Sequence, residues 1–349
     1  FESCKIEMGA GSTGIGARMQ TTTSTNNITF DDVLVTSDNG LHNNHRSFHF
    51  YGQSNVTIND CIFEYGQRGI YAKLTYGGNP ITISNSIFRN NTTGIYAYDK
   101  GLHLNNCEIY NNSETAIEAV NMSFTSNITN CDIEDNIMGI IYESSVSSNL
   151  NLTGNSILGT STVGTGLLLD GGFHLNMINQ ACNKISNFIY GIYATYGTHI
   201  RLDQDGRNNL SGNIETVYLI NSSIYLNQGF NQLHTINNDP VIQGLMPHSD
   251  CSIKPSYVNV SAHNNRWSSN QSATPVHNVH YNIQNSNCSW KQIYLQDNNP
   301  SFRICMSIIP IPLSNNNNEH PIVELNNEQL HLDDAINYLE AQSTYASSN

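Results

Sequence analysis

Apolar residues recur along this chain at intervals of about two dozen positions, and between them the pattern alternates with period two. One column reads Ile6, Val35, Phe63, Phe88, Ile109, Ile133, Ile157, Ile185, Leu210, Leu233, Trp267, with steps from 21 (Phe88 to Ile109) to 34 (Leu233 to Trp267). A second column reads Ile15, Phe48, Ile70, Ile95, Ile117, Ile140, Leu167, Ile192, Val217. A third run precedes the first, as in Val56-Thr57-Ile58, Ile81-Thr82-Ile83, Leu102-His103-Leu104, Leu150-Asn151-Leu152 and Ile200-Arg201-Leu202. Alternation over three to five residues is the signature of a short half-buried strand. Three such strands per repeat, joined by turns rich in Asn and Gly, predict a three-sided coil. Up to Trp267 no run carries the 3.6-residue period that a helical solenoid requires. The uneven steps follow because corners can lengthen while strands cannot.

The segments NDCIFEYGQRGIYA, SNSIFRNNTTGIYA, NNCEIYNNSETAIEA and TNCDIEDNIMGIIY align directly. Their motifs, Asn-Asn-Cys-x-Ile (Asn105 to Ile109) and Gly-Ile-Tyr-Ala (Gly94 to Ala97), resemble the right-handed parallel β-helix repeat family. That superfamily includes the pectate lyases, polygalacturonases, alginate epimerases and NosD-like periplasmic proteins. The resemblance spans roughly residues 1–270 and implies an all-β, right-handed parallel β-helix of about eleven coils. Stacked at about 4.8 Å, those coils would form a rod on the order of 50 Å long. Asn59, Asn85, Asn106 and Asn130 suit its tight corners, since Asn tolerates left-handed backbone.

Regularity fades beyond Leu233. His234 to Ser256 reads as an irregular insertion with Asn-Asp-Pro and Met-Pro breakers. The expected organisation is a solenoid over 1–270, C-terminal strands or a cap over 271–313, and a polar linker with the start of a helical element over 314–349. The helical expectation rests on the spacing from Leu330 to Leu339. The start at Phe1, inside a repeat, leads us to expect a processed chain or an internal piece.

Composition narrows the function. Only 12% of residues are charged, and the net charge is −14 with 14 basic residues thinly spread. A nucleic-acid partner calls for a clustered basic face, so none is expected. The longest apolar stretch, Ile308 to Leu313, is short and broken by Pro310 and Pro312, so no membrane insertion is expected. Cys4, Cys61, Cys107 and Cys131 sit two residues before the first column and are expected as free inward thiols. Neighbouring Cβ atoms at the coil spacing are too far apart for a disulfide. A disulfide among Cys251, Cys288 and Cys305 is expected in an oxidising compartment, and pairing with Cys182 is left open.

Enzymes of the resembling family act on acidic polysaccharides, using carboxylates to hold calcium or to attack the scissile bond. The candidate carboxylates are Asp31, Asp32, Glu64, Glu134, Asp135, Asp203 and Asp205. Arg201, Asp203, Asp205 and Arg207 form the richest segment, a candidate for calcium or a sugar acid. The family's Asn-Thr-Asp, Gly-His-Gly, Arg-Ile-Lys and Asp-Pro-His-Glu motifs are absent, so no catalytic residue is assigned. His42, His45, His49, His277 and His280 read as exposed turn and strand residues.

The residue after each second-column position points outward: Tyr71, Tyr96, Glu118, Ile141, Leu168, Tyr193, Tyr218. Stacking would join these into an aromatic and apolar stripe, with Tyr71, Tyr96, Tyr193 and Tyr218 as candidate binding residues for sugar rings or a partner. The expectation is a non-catalytic extracellular or cell-surface module of a larger secreted bacterial protein. It would be structural, adhesive or carbohydrate-binding, with a polysaccharide, a cell-surface protein or further domains of its own chain as partner. No cofactor is expected apart from the calcium named above. The alternative is a polysaccharide lyase or glycoside hydrolase on an acidic polysaccharide.

The stacked columns generate the first test. Phe88→Asp places a charge inside the ladder and should collapse the middle coils, with loss of the β circular dichroism signal and a large fall in melting temperature. An unchanged spectrum and melt would refute the ladder.

Overall fold

The computed structural model describes residues 2–8, 15–21, 27–37, 46–52, 55–73, 80–99, 101–160, 163–226, 229–236 and 241–246, and beyond these the backbone of short strands. Each alternating run becomes a strand because its apolar side chains fall on one face. One coil contributes Ile81–Ser84, Ile87–Arg89 and Thr93–Tyr98, and the next Leu102–Asn105, Glu108–Tyr110 and Thr115–Val120. The third strands of successive coils form an eleven-stranded sheet, and the first two strands of each coil run together into a 21-stranded sheet. Pairing between coils is parallel.

A three-residue strand buries one or two side chains, too little to fold alone, so stability comes from neighbours above and below. Phe63, Phe88 and Ile109 are in register and fully buried. The rings of Phe63 and Phe88 stack with centroids 5.0 Å apart and planes 5° apart. At the corner, Asn85, Asn106 and Asn130 take φ of 50°, 55° and 50°. In the coil before Asn85, Asp60 rather than Asn59 adopts this conformation, with φ 51°. Gly94 is the second residue of its strand, where a Cβ would lie 2.7 Å from the Ala116 carbonyl oxygen and 3.0 Å from Ile109 Cγ2.

Buried Asn residues, which the sequence reading assigned only to turns, form two interior columns. Two residues before the first apolar column, Cys61, Cys107 and Cys131 give way to Asn155, Asn183, Asn208 and Asn231. The Nδ2 of Asn155 donates to Asn183 Oδ1 (2.9 Å), that of Asn183 to Asn208 Oδ1 (3.0 Å), and that of Asn208 to Asn231 Oδ1 (2.9 Å). Each Nδ2 also donates to a strand-end carbonyl, of Ile128, Leu152, Met177 and Leu202 in turn. A second column, Asn91, Asn112 and Asn136, has Nδ2 donating to the carbonyls of Phe63, Phe88 and Ile109. These amides close the corners' backbone groups, which would be costly if buried unpaired.

Several expectations are corrected. Ile15 pairs with Arg46, and Ala17 is the partner of Phe48. A shift of two residues leaves the period-two pattern unchanged, so apolar spacing alone does not detect it. The segment read as an irregular insertion contains the strand Ile242–Met246, which pairs with Glu215–Ile220 and with Tyr281–Asn285. Ile242 continues the second column 25 residues after Val217, and the flanking breakers hid it. Parallel pairing reaches Ile293–Tyr294, past residue 270.

Phe1–Phe302 and Arg303–Asn349 are separate compact units. In the second, Met306–Ile308, Ile322–Leu325 and Glu328–His331 form an antiparallel sheet. The helix expected from Leu330 therefore begins in a strand. Leu330-His331-Leu332 also alternates with period two, and pairing to Ile322–Leu325 decides for the strand. The rest of that segment and the linker over 314–320 lie outside the described residues. Cys61, Cys107 and Cys131 are buried free thiols, while Cys4 is free but only half-buried.

Removing one amide tests the Asn column. Asn183→Ala strands the Leu152 carbonyl and the Asn155 backbone N–H, which donates to Asn183 Oδ1 over 3.1 Å. A loss of roughly 2–4 kcal/mol is expected. It should read as a lower urea midpoint at unchanged slope. A midpoint within error of the parent would rule out a structural role for the column.

Candidate functional site

The third strand of each coil points Ile95 and Ala97 inward, so alternation sends Tyr96 and Tyr98 outward. Register then builds a column across the eleven-stranded sheet: His49, Tyr71, Tyr96, Glu118, Ile141, Leu168, Tyr193, Tyr218. From Tyr71 to Tyr218 every member is half-buried. His49, expected to be exposed, is only 2% exposed and meets Tyr71 edge-on at 4.1 Å. His42, His45, His277 and His280 lie outside the described residues. Beside this column run Lys73, paired with Tyr98, and further along Glu143, Asp170 and Thr195.

The structure brings Tyr71 to Tyr96 and Tyr193 to Tyr218, as two clusters separated by Glu118, Ile141 and Leu168. The Tyr71 and Tyr96 rings stack at 4.8 Å and 6°, and those of Tyr193 and Tyr218 at 5.3 Å and 11°. Tyr190 packs across the second pair at 5.2 and 5.6 Å. Stacked in this way, paired rings cover each other's inner faces and present edges and hydroxyls. Burial pushes the phenols of Tyr96, Tyr190 and Tyr218 up from their ordinary value, so they remain neutral hydrogen-bond donors. The Arg68 guanidinium carbon lies 4.9 Å from the Tyr71 centroid and 4.1 Å from that of Tyr96, and Lys73 Nζ lies 5.1 Å from the centroid of Tyr98.

Glu118 and Glu143 on this face hold their protons more tightly than usual. Burial raises Glu118 against the opposing charge of Arg68, and Glu143 and Glu114 add to the rise. Burial raises Glu143 too, with Asp170 adding repulsion. Glu143 and Asp170 are strand partners, and Asp170 Oδ1 accepts from Thr195 Oγ1 at 2.8 Å.

The Arg201–Arg207 segment resolves into two ion pairs. Arg201 binds Asp203 with Nε and Nη2 donating over 3.2 Å each, and Arg207 binds Asp205 over 2.9 and 2.8 Å. Each carboxylate is engaged by the arginine two residues away. Glu64 is likewise taken by Arg89 at 2.8 Å and by Thr36 Oγ1 at 2.7 Å, and Asp31 Oδ1 accepts from Asn59 Nδ2 at 2.9 Å. Asp32 sits in left-handed backbone, φ 52°. Glu134 and Asp135 line a shallow pocket of about 250 Å³ with Glu108, Tyr110 and Asp132. The sequence reading missed those three. The signal was the 24-residue step from Ile109 to Ile133, which sets Glu108 beside Asp132 and Tyr110 beside Glu134. Burial first, then Asp132 and Asp135, raise Glu134.

On the other sheet His174 and His199 stack at 5.0 Å, and His199 Nδ1 lies 2.7 Å from Ser223 Oγ. Burial and the neighbouring His174 lower the His199 pKa, so its ring is neutral near neutral pH. Among the described residues no group of three or more His, Cys, Asp or Glu is placed to hold a metal ion. No helix among them is long and apolar enough to cross a membrane. Cys182 is disulfide-bonded, with its partner outside the described residues.

Among curated proteins nothing matches this chain. A solved structure, the Azotobacter vinelandii mannuronan C-5 epimerase AlgE4 A-module, is similar at 12% identity with a TM-score of 0.40, over 86% of this chain and 90% of that one. The model of the right handed beta helix region matches residues 13–205 and 74–239. With a parallel coil ladder over the same residues, the chain belongs to the right-handed β-helix family.

Proposed function

We propose that this chain is a non-catalytic, extracellular or cell-surface module that binds a polysaccharide along the outward face of its eleven-stranded sheet. The observation that carries this reading is the register of that face. From Tyr71 to Tyr218 one outward side chain per coil is held on strand-paired backbone, giving a rigid row at strand spacing. A periodic row suits a periodic polymer. Phenol hydroxyls, ring edges and the aliphatic Ile141 and Leu168 offer the mix of donors and apolar surface that sugars use. The disulfide at Cys182 supports an oxidising compartment. The net charge of −14 argues against nucleic acid.

A second reading, a lyase or hydrolase, is favoured by one observation: Glu143 and Asp170 stand side by side on this face, with Glu143 held toward its protonated form. Two carboxyls in proximity are what glycoside hydrolysis needs.

Two measurements separate these readings. Combining Tyr71→Ala, Tyr193→Ala and Tyr218→Ala should weaken retardation in polysaccharide-containing gels by about tenfold or more in apparent affinity. Circular dichroism should keep its β signal. Unchanged retardation, or none by any polysaccharide in a broad panel, would overturn the binding face. Incubation of the intact chain with acidic polysaccharides should release neither reducing ends nor unsaturated products. Release that Glu143→Gln abolishes would establish the catalytic reading instead.

A further inference from the structure

We infer that the corner between the second and third strands of five successive coils is a docking ridge for a cationic amphipathic helix of a protein partner. The ridge lies beside the sheet face assigned to polysaccharide and stands on separate observations.

These five coils turn the corner on a β-branched apolar residue: Ile137, Val163, Ile189, Ile214 and Ile236, at steps of 26, 26, 25 and 22. Ile137, for example, lies between the strands Asp132–Asn136 and Met138–Ser144. Backbone bonds tie the corner from coil to coil. The Thr165 N–H donates to the Ile137 carbonyl, that of Tyr190 to Gly164 and that of Glu215 to Ile189, over 3.3, 3.4 and 2.7 Å. In the second of these coils Gly164, at φ 71°, stacks against the Ile137 carbonyl, and Val163 stands just before it. The row therefore advances by about 4.8 Å per coil and spans roughly 19 Å. Ile137, Val163 and Ile236 are 47%, 44% and 50% exposed, and Ile189 and Ile214 are half-buried. The three preceding coils carry Gln67, Thr92 and Ser113 with Glu114 at this corner. Nothing about the turn itself therefore requires an apolar side chain. Single exposed apolar residues are ordinary, but a continuous row of them marks an interaction surface.

Charge and size select the occupant. No Lys or Arg lies within two residues of any ridge position, whereas Asp135 and Glu215 do, and Glu114 is exposed at the Ile137 end. Acidic borders on a chain of net charge −14 repel a second copy and attract Lys or Arg. Five side chains also fall short of the roughly 20–30 residues a side that a stable protein–protein interface uses. They match the about four anchors, at i, i+3, i+4 and i+7, that one docked helix presents.

Pitch favours a helix over an extended segment. A helix laid along the ridge repeats every ~5.4 Å, so over four steps it drifts from the coils by only about 2.4 Å, less than the width of an aliphatic side chain. Side chains on one face of an extended segment recur every ~6.8 Å and drift by about 8 Å. A helix with Lys or Arg on both sides of its apolar stripe meets the ridge and its acids together.

Fluorescence anisotropy of the full chain with a labelled Leu/Lys peptide of about 18 residues, roughly 27 Å as a helix, tests this. Its leucines form one helical stripe. The controls are the same composition in scrambled order and a striped Leu/Glu peptide. The striped Leu/Lys peptide should bind about tenfold or more tighter than either control and gain helical circular dichroism. Combining Ile137→Ser, Val163→Ser and Ile236→Ser should remove that margin and keep the β spectrum, since all three side chains are exposed. Should that variant lose its β spectrum, Glu114→Lys with Asp135→Lys, which leaves the apolar row intact, should weaken the striped Leu/Lys peptide severalfold, and unchanged affinity would refute the ridge. The triple Tyr variant should keep the margin, so failure of the ridge and failure of the polysaccharide face read separately. Equal binding of the scrambled peptide, binding without a gain of helix, a margin that survives the Ser substitutions, or no binding would overturn the inference. A parent chain that sediments as a dimer, with the Ser variant a monomer, would assign the ridge to a second copy and overturn it too.

Discussion

Everything in this molecule follows from the hydrogen bonds that tie each coil to the next. A parallel ladder fixes the separation of successive coils, and that fixed separation forces residues two dozen positions apart into direct contact. Inside and outside, the solenoid is therefore a set of columns rather than a mosaic, with like stacked on like: Phe63 on Phe88 and Asn183 on Asn208 in the interior, Tyr71 on Tyr96 and His174 on His199 on the half-buried faces. What a column permits is decided by what its residue can do with a copy of itself. Apolar side chains exclude water together, and amides hydrogen-bond to their own kind because each carries both donor and acceptor.

The same constraint shapes the outward face. Tyr side chains on neighbouring coils have little choice but to stack, and a stacked ring is a poorer sugar platform than an isolated one. The face then offers hydroxyls, ring edges and charges rather than open ring faces. Burial, with carboxylates placed as near neighbours regardless of repulsion, explains why Glu143 beside Asp170 and Glu134 beside Asp132 hold their protons more tightly than usual.

The fold was legible because its inward columns are made of residues that are conspicuous when repeated. Ile109, Ile133 and Ile157 at 24-residue steps admit few other readings, and alternation gave the outward stripe with its members in the right order. The buried amides were hidden because Asn usually marks a turn in water, and Asn85 and Asn106 do just that. Only alignment beneath Cys107 and Cys131 distinguishes Asn155 and Asn183 from them. The Arg201–Arg207 segment looked promising by density of charge. Density says nothing of pairing, however, and each acid there closes on its own arginine.

The amide column also bears on how such a chain changes over time. The rungs at Asn155, Asn183 and Asn208 each bond to the Asn of the next rung and to a carbonyl of the preceding coil. Excising one complete rung would therefore bring equivalent partners together, whereas deleting a few residues inside a strand would flip its side chains. Duplication and loss in whole-repeat quanta are thus the tolerated form of length variation, and the molecule's reach can be retuned without redesigning its interior.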